Sequence, residues 1–215
     1  GEPLVSIIIP FKDKVGVLKE GVNSISQKTT YRNYEIILVN NGSEFLETLE
    51  YLKTLKGNER VKIIDYDKPF NYSAINNFAA RQAKGEVLIL LNNDTEIITP
   101  EWIEAMLEHV QRSEVGAVGA KLLFPDDSVQ HAGVLIGIGG IANSSFLKNG
   151  KDDHCYFGQA NVIKNYSAVT GACMMVRRDI YLGVGGLNEE NLAVTFNDVD
   201  FCLRLRDKGY LIVYT

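Results

Sequence analysis

The apolar positions of the chain fall in short runs separated by stretches with helical spacing. Residues 4–10, 34–39, 61–65 and 87–91 are dominated by Val, Ile and Leu. The run Val87-Leu88-Ile89-Leu90-Leu91 is apolar at every position and stops at Asn92-Asn93-Asp94. Unbroken apolarity of that length marks a strand buried on both faces, as in a parallel sheet covered by helices. Between these runs, Val15, Leu18, Val22 and Ile25 make one face of a helix over 15–27. Leu46, Leu49, Leu52 and Leu55 do the same over 45–56, and an Ala-rich helix over 73–84 stops at Gly85. Thr99-Pro100-Glu101 starts a further helix, with Thr99 as cap, Pro100 in the first turn and Glu101 at the positive helix end. Strands alternating with helices as far as about residue 112 imply right-handed βαβ units and a mostly parallel sheet with helices on both faces, an α/β fold.

The second half is less regular. Residues 115–124 hold one or two short strands. Residues 137–165 are rich in Gly, Asn, Ser and Lys without clear periodicity, and so long a segment in a compact domain suggests a functional lid or a mobile loop. A strand pattern returns over 169–177, then one helical turn over 179–182, a glycine-rich 183–186, a helix over 197–208 and a last strand over 210–214. With neither repeat nor interdomain linker, residues 1–215 read as one domain, divided into 1–112 and an elaborated 113–215.

Composition narrows the class. Of 215 residues, 46% are hydrophobic and 23% charged, ordinary for a globular domain. A net charge of −5 argues against nucleic acid as a partner. Cys155, Cys173 and Cys202 form neither a disulfide framework nor a zinc spacing, which suggests a reducing, cytoplasmic setting. No apolar run approaches the ~20 residues of a membrane span, and no signal peptide is visible. The chain ends suggest a trimmed piece.

Polar loops follow four strands: Phe11-Lys12-Asp13, Asn40-Asn41-Gly42, residues 65–71, and Asn92-Asn93-Asp94. In a parallel sheet they share the carboxyl edge, where open α/β folds bind ligands. There is no phosphate-loop motif, and Gly137-Ile138-Gly139-Gly140 lacks the dinucleotide context. Asp94 could hold Mg²⁺ or Mn²⁺ with help from Asn92 and Asn93, or these residues could simply make a turn and cap; spacing alone leaves both open. Asp198, at a helix start, is either an acid complementing the helix dipole or a general base, and alone the first reading is the better. His131 reads as structural or as a support behind the site, His109 as part of a polar helical face, and Trp102 and Met106 as helix core. His154 and Cys155 lie close together without completing a metal site.

These pieces, in this order, resemble the family 2 glycosyltransferases of the GT-A fold, most closely the bacterial rhamnosyltransferase-like branch that builds surface polysaccharides. The resemblance is carried by Val5 through Asp13 as the opening strand and turn, and by Tyr34 through Ser43 as the second strand and its base-contacting loop. Further along come Phe70 through Glu86, then Asn92-Asn93-Asp94 at the Asp-x-Asp position, and Thr170-Gly171-Ala172-Cys173-Met174. Gly185 through Glu189 and Asn197 through Arg204 complete it. It implies a GT-A nucleotide-sugar-binding fold with 1–112 as the donor half and 113–215 as the acceptor and catalytic half. It also implies inverting transfer from a UDP- or dTDP-linked sugar to a saccharide or lipid-linked saccharide, with Asp198 as catalytic base and Asp94 holding Mn²⁺ or Mg²⁺. Pro10, Phe11, Lys12, Asn40, Asn41, Asn71, Asn77, Asn92 and Asn93 become the residues expected around the nucleotide sugar. Residues 137–165 are expected to shape the acceptor site or close over the donor. The expected location is the cytoplasm, with peripheral association of the full-length protein at the inner face of the membrane as a further expectation.

The chain departs from the family pattern at Asn40, Asn92 and Asn197, where aspartate or glutamate is common, and it stops before a histidine that can join the metal. Each asparagine keeps an oxygen acceptor and loses a charge. The departures favour, as an alternative, a nucleotide-sugar-binding module with impaired catalysis. A nucleotidyltransferase is a weaker third reading, since no glycine-rich basic loop follows the first strand.

Overall fold

Strands that carry aliphatic side chains on both faces must be covered from both sides. The computed structural model, which describes residues 2–215, meets that demand with one large sheet. Its first half comprises β1 (Val5–Phe11), α1 (Val15–Lys28), β2 (Tyr34–Asn40), α2 (Leu46–Leu55), β3 (Val61–Asp65), α3 (Tyr72–Gln82), β4 (Val87–Leu91) and α4 (Trp102–Val110). The second half adds β5 (Val115–Gly119), β6 (Leu122–Leu123), β7 (Val129–His131), β8 (Val134–Ile136), β9 (Ala142–Ser144), β10 (Lys164–Asn165), β11 (Cys173–Arg177), α5 (Arg178–Gly183), α6 (Asn197–Asp207) and β12 (Leu211–Tyr214).

The eight strands of the main sheet lie in the order β10-β12-β5-β11-β4-β1-β2-β3. β3, β2, β1 and β4 are mutually parallel. β11 inserts antiparallel between β4 and β5, β12 returns parallel to β5, and β10 closes the edge antiparallel to β12. The α/β class expected from the sequence therefore holds: a mostly parallel sheet, covered on both faces. Alternate residues of one strand serve opposite layers. Ile7 and Ile9 join Leu18, Val22, Ile103 and Met106 of α1 and α4. Ile8 joins Ile75 of α3 and Phe201 of α6. All five side chains of β4 are buried, each contributing about 1.5–3 kcal/mol relative to exposure.

Four local features differ from the sequence reading. α4 begins at Trp102 with Glu101 as its N-cap, and no side chain caps it. The Pro100 carbonyl accepts both the backbone N–H and the hydroxyl of Thr30, at 3.1 and 2.9 Å, so the chain turns there and Thr99 is no cap. His109 is buried at 6% exposure rather than displayed on a polar face. Of residues 169–177 only 173–177 pair as a strand, leaving Thr170-Gly171-Ala172 as a strap along the sheet edge. Residues 137–165 are not featureless: β8 and β9 form a hairpin whose turn closes through Gly137 N–H donating to Ile141 O at 2.8 Å.

Candidate active site

Because β1 to β4 run parallel, their carboxyl ends share one edge, and the antiparallel β11 brings its amino end there too. The loop after β4 is fixed by its backbone. Asn92 N–H donates to Ala172 O at 3.0 Å. The loop also sits close against α1, since a Cβ at Gly21 would lie 3.1 Å from Thr95 O and 3.3 Å from Asn93 O. With its backbone held, the loop leaves Asn92 and Asn93 half-buried and Asp94 exposed. No ion pair engages the Asp94 carboxylate among the described residues.

Asp198 lies in the first turn of α6. Its Oδ2 accepts from Gly171 N–H at 2.9 Å and its Oδ1 from Val199 N–H at 2.8 Å. One of these donors belongs to the amino end of α6 and the other to the strap, so both carboxylate oxygens are oriented by backbone. The group remains half-buried and lines a cleft of about 350 Å³. His131, Asn143, Ser144, Thr170 and Phe196 share that cleft, so the β8–β9 hairpin forms part of its wall. A larger cleft, of about 660 Å³, opens at the opposite edge beside Glu86 and Arg178 and contains no candidate residue.

Two residues beside Asp198 carry more of the geometry than the sequence suggested. The hydroxyl of Tyr72 donates to Gly171 O at 2.9 Å. Its phenol is pushed far up, first by burial, then by the charge of Asp198, and to a smaller degree by that of Asp94. One phenol thus feels both carboxylates, and it stays a donor. His131 is 2% exposed, and burial holds its imidazole down at about 4, against the smaller opposing pulls of Ala120 O and Asp198. Its Nδ1–H donates to Ala120 O at 2.9 Å, leaving Nε2 to accept from Gly133 N–H and Thr170 N–H at 3.2 Å each. His131 is structural, as its sequence context suggests, and it is neutral.

The expected nucleotide edge looks different from within. The ring of Phe11 packs in the core at 4% exposure, its carbonyl is taken by Asn41 N–H, and Pro10 is buried. Asn41 donates both amide protons inward, to Tyr66 O and Lys68 O. Asn77 is committed on every side. It donates to Leu187 O and Glu189 Oε2, and it accepts from Tyr181 O–H and Leu187 N–H. Gly186 is required beside it, where any Cβ would strike the Asn77 amide oxygen. The ring of Phe11 and the whole amide of Asn77 are thus taken up inside the edge, whereas Asn41 has only its amide protons engaged there. Asn71 caps α3 through Ala74 N–H and also donates to Glu189 O. Lys12 stays exposed and pairs loosely with Glu44 at 3.3 Å. Asp13, absent from the expected set, is the organiser of its turn: Oδ1 accepts from Glu44 N–H and Phe45 N–H, both at 3.0 Å.

Two of the three asparagine departures have a structural cause. Asn40 donates to Asp65 Oδ1 at 2.8 Å while accepting from Ser43 N–H, so an aspartate there would set two carboxylates against each other. Asn197, 3% exposed, donates to Ser73 Oγ and Val194 O at 3.0 and 3.1 Å. Ser73 spends its own proton on Leu192 O, so position 197 needs a donor. The side chain of Asn92 has no such internal task.

Among the described residues no group of three His, Cys, Asp or Glu side chains is placed to hold a metal ion. The donor set fits an ion carried largely by its ligand: one free carboxylate at Asp94 and amide oxygens at Asn92 and Asn93, with diphosphate oxygens completing the shell. It does not fit an all-protein cage.

Residues 6–184 match the family described as glycosyl transferase family 2. The chain belongs to glycosyltransferase family 2. It is 47% identical over 216 residues to the uncharacterized protein y4gI of Sinorhizobium fredii, covering 100% of this chain and 24% of that protein. It is 43% identical to the O-antigen biosynthesis protein RfbC of Myxococcus xanthus, covering 100% of this chain and 17% of RfbC. The chain thus spans a quarter or less of the length of these relatives. Its fold matches the mannosyltransferase PcManGT of Pyrobaculum calidifontis, solved with GDP-Man and Mn²⁺, with a TM-score of 0.70 at 14% identity over 100% of this chain and 57% of that one. It also matches GalNAc-T7, solved with UDP, GalNAc and Mn²⁺, with a TM-score of 0.75 at 14% identity over 100% and 43%. At such identity these structures speak for a common GT-A fold alone.

Proposed function

We propose that residues 1–215 form the transferase domain of an inverting glycosyltransferase, with 1–112 as the donor half and 113–215 as the acceptor half. It moves a hexosyl or rhamnosyl unit from a UDP- or dTDP-linked donor to a saccharide or lipid-linked saccharide during assembly of a surface polysaccharide. The observation that carries this reading is the Asp198 carboxylate, held by the Gly171 N–H at the wall of a cleft and within electrostatic reach of the phenol that also feels Asp94. Support for the polysaccharide context comes from RfbC, and for a divalent cation from the Mn²⁺ of both solved structures.

In this reading Asp198 accepts the proton of the acceptor hydroxyl as that oxygen bonds to the anomeric carbon from the face opposite the leaving group. The bond from the anomeric carbon to the diphosphate breaks, and the nucleoside diphosphate departs with the electron pair. Asp94, with Asn92 and Asn93 beside it, would hold a Mn²⁺ or Mg²⁺ ion, which when bound would supply charge neutralisation on that diphosphate. Lys12, exposed at the same edge, adds positive charge for the donor. The hairpin residues Asn143 and Ser144 offer neutral hydrogen-bonding groups to an acceptor sugar. No helix among the described residues is long and apolar enough to cross a membrane, and a lipid-linked acceptor would draw the protein to the inner membrane face as a peripheral partner. The internal bonds of Asn40 and Asn197 give both departures a structural reason, which favours catalysis over a binding module.

The test is Asp198→Asn. Sugar transfer should fall by about 10²–10⁴-fold, the usual worth of general-base assistance. Donor affinity, measured by titration calorimetry, should change little. Transfer at the wild-type rate would sink the assignment.

A further inference from the structure

Four bonds tie the Thr170-Gly171-Ala172 strap to four different elements. Thr170 N–H donates to His131 Nε2 of β7, Gly171 N–H to Asp198 Oδ2 of α6, and Ala172 O accepts from Asn92 N–H beyond β4. The remaining link is Gly171 O, which accepts from the hydroxyl of Tyr72, the first residue of α3. The two groups of Gly171 are therefore engaged at once, its N–H by the proposed base and its carbonyl by Tyr72. Gly171 also lies beside both side chains: a Cβ there would make ordinary contact with the Tyr72 oxygen at 3.5 Å and with Asp198 Cβ at 3.6 Å. Beside Tyr72, Ser73 Oγ accepts from Asn197, so the first turn of α3 grips both residue 197 and, through Gly171, residue 198.

We propose that Tyr72 is a positioning residue for Asp198, acting through Gly171. Its hydroxyl fixes the orientation of the strap, and the strap's N–H then fixes which way the carboxylate faces the cleft. Tyr72 takes no part in proton transfer. It governs whether the carboxylate oxygen that must meet the acceptor hydroxyl is aimed at it, and orientation of that kind is reflected in turnover more than in binding. This inference rests on Asp198 being the base.

Tyr72→Phe removes the hydroxyl and keeps the ring. Two readouts are made on Tyr72→Phe, Asp198→Asn and the double variant. The first needs no substrate: the ¹H–¹⁵N resonance of Gly171 reports its bond to Asp198. Asp198→Asn should move that resonance, and Tyr72→Phe should move it in the same direction, with melting temperature held within a few degrees. The second is nucleoside diphosphate release from a panel of UDP-, dTDP- and GDP-linked sugars with Mn²⁺, water serving as acceptor. Here Tyr72→Phe should lower kcat about tenfold with donor KM unchanged, and should add nothing in the Asp198→Asn background. A Gly171 resonance unmoved by Tyr72→Phe overturns the proposal, as does a tenfold loss that persists in the Asp198→Asn background. Wild-type turnover by Asp198→Asn would instead overturn the base assignment, while the resonance still reports whether Tyr72 orients the strap.

Discussion

Single side chains explain the departures from the family pattern better than charge counting does. Asn197 was legible in the sequence only as a lost carboxylate; in the fold it is a buried donor facing two oxygens whose own protons are absent or already spent. Asn197→Asp should therefore destabilise the protein by about 2 kcal/mol, because a buried acceptor would meet acceptors and forfeit its bonds. The check is the denaturant midpoint with m unchanged; an unaltered midpoint would show that Ser73 and its neighbours re-arrange freely. Asn40 follows the same logic, since its partner Asp65 lies opposite it in the β2–β3 register and no sequence spacing announces that pair.

Between elements, the strap at 170–172 joins pieces that are far apart in sequence, and His131 is one of its fastenings. Neutral imidazole both donates to Ala120 O and accepts from two backbone N–H groups. Protonation would turn Nε2 into a donor facing donors. The folded-state value is depressed to about 4, below the ordinary 6.5, so the unfolded chain takes up this proton first as pH falls. The stability linked to His131 is present above about 6.5 and is lost as pH falls from there to about 4, a drop of roughly 3 kcal/mol. Melting temperature should decline between pH 7.5 and pH 5 in the wild type, and less steeply in His131→Gln. Parallel slopes in the two proteins would show that this linkage is absent. The strap itself was read from sequence as the opening of a strand. It pairs elsewhere because its peptide groups are taken by α3, α6, β7 and the loop after β4.

Across the whole molecule, residues 1–112 and 113–215 both contribute strands to one sheet, and the antiparallel β11 is the join that brings Asp94 and Asp198 to one edge. Asp94 is exposed and has no ion-pair partner among the described residues, so Asp94→Ala should leave the fold intact while abolishing the Mn²⁺-dependent part of donor binding. Calorimetric titration of the donor with Mn²⁺ and with a chelator checks this, and an undiminished metal effect would remove Asp94 from the site. The sequence by itself determined the layers of the fold, because unbroken aliphatic runs and helical spacing can be buried in few ways. It also determined the order of the motifs and the two carboxylates they contain. Only the tertiary structure decided which polar residues face inward. Asn41 and Asn77 lie in motifs that resemble a binding edge, yet their amide protons are taken by backbone carbonyls and, for Asn77, the Glu189 carboxylate, with Leu187 lying 110 positions away in the chain. Hydrogen-bond demand is set by partners that sequence distance does not reveal. That is why Tyr72, Gly171 and His131, which carry no catalytic signature in their spacing, emerge as the frame around Asp198.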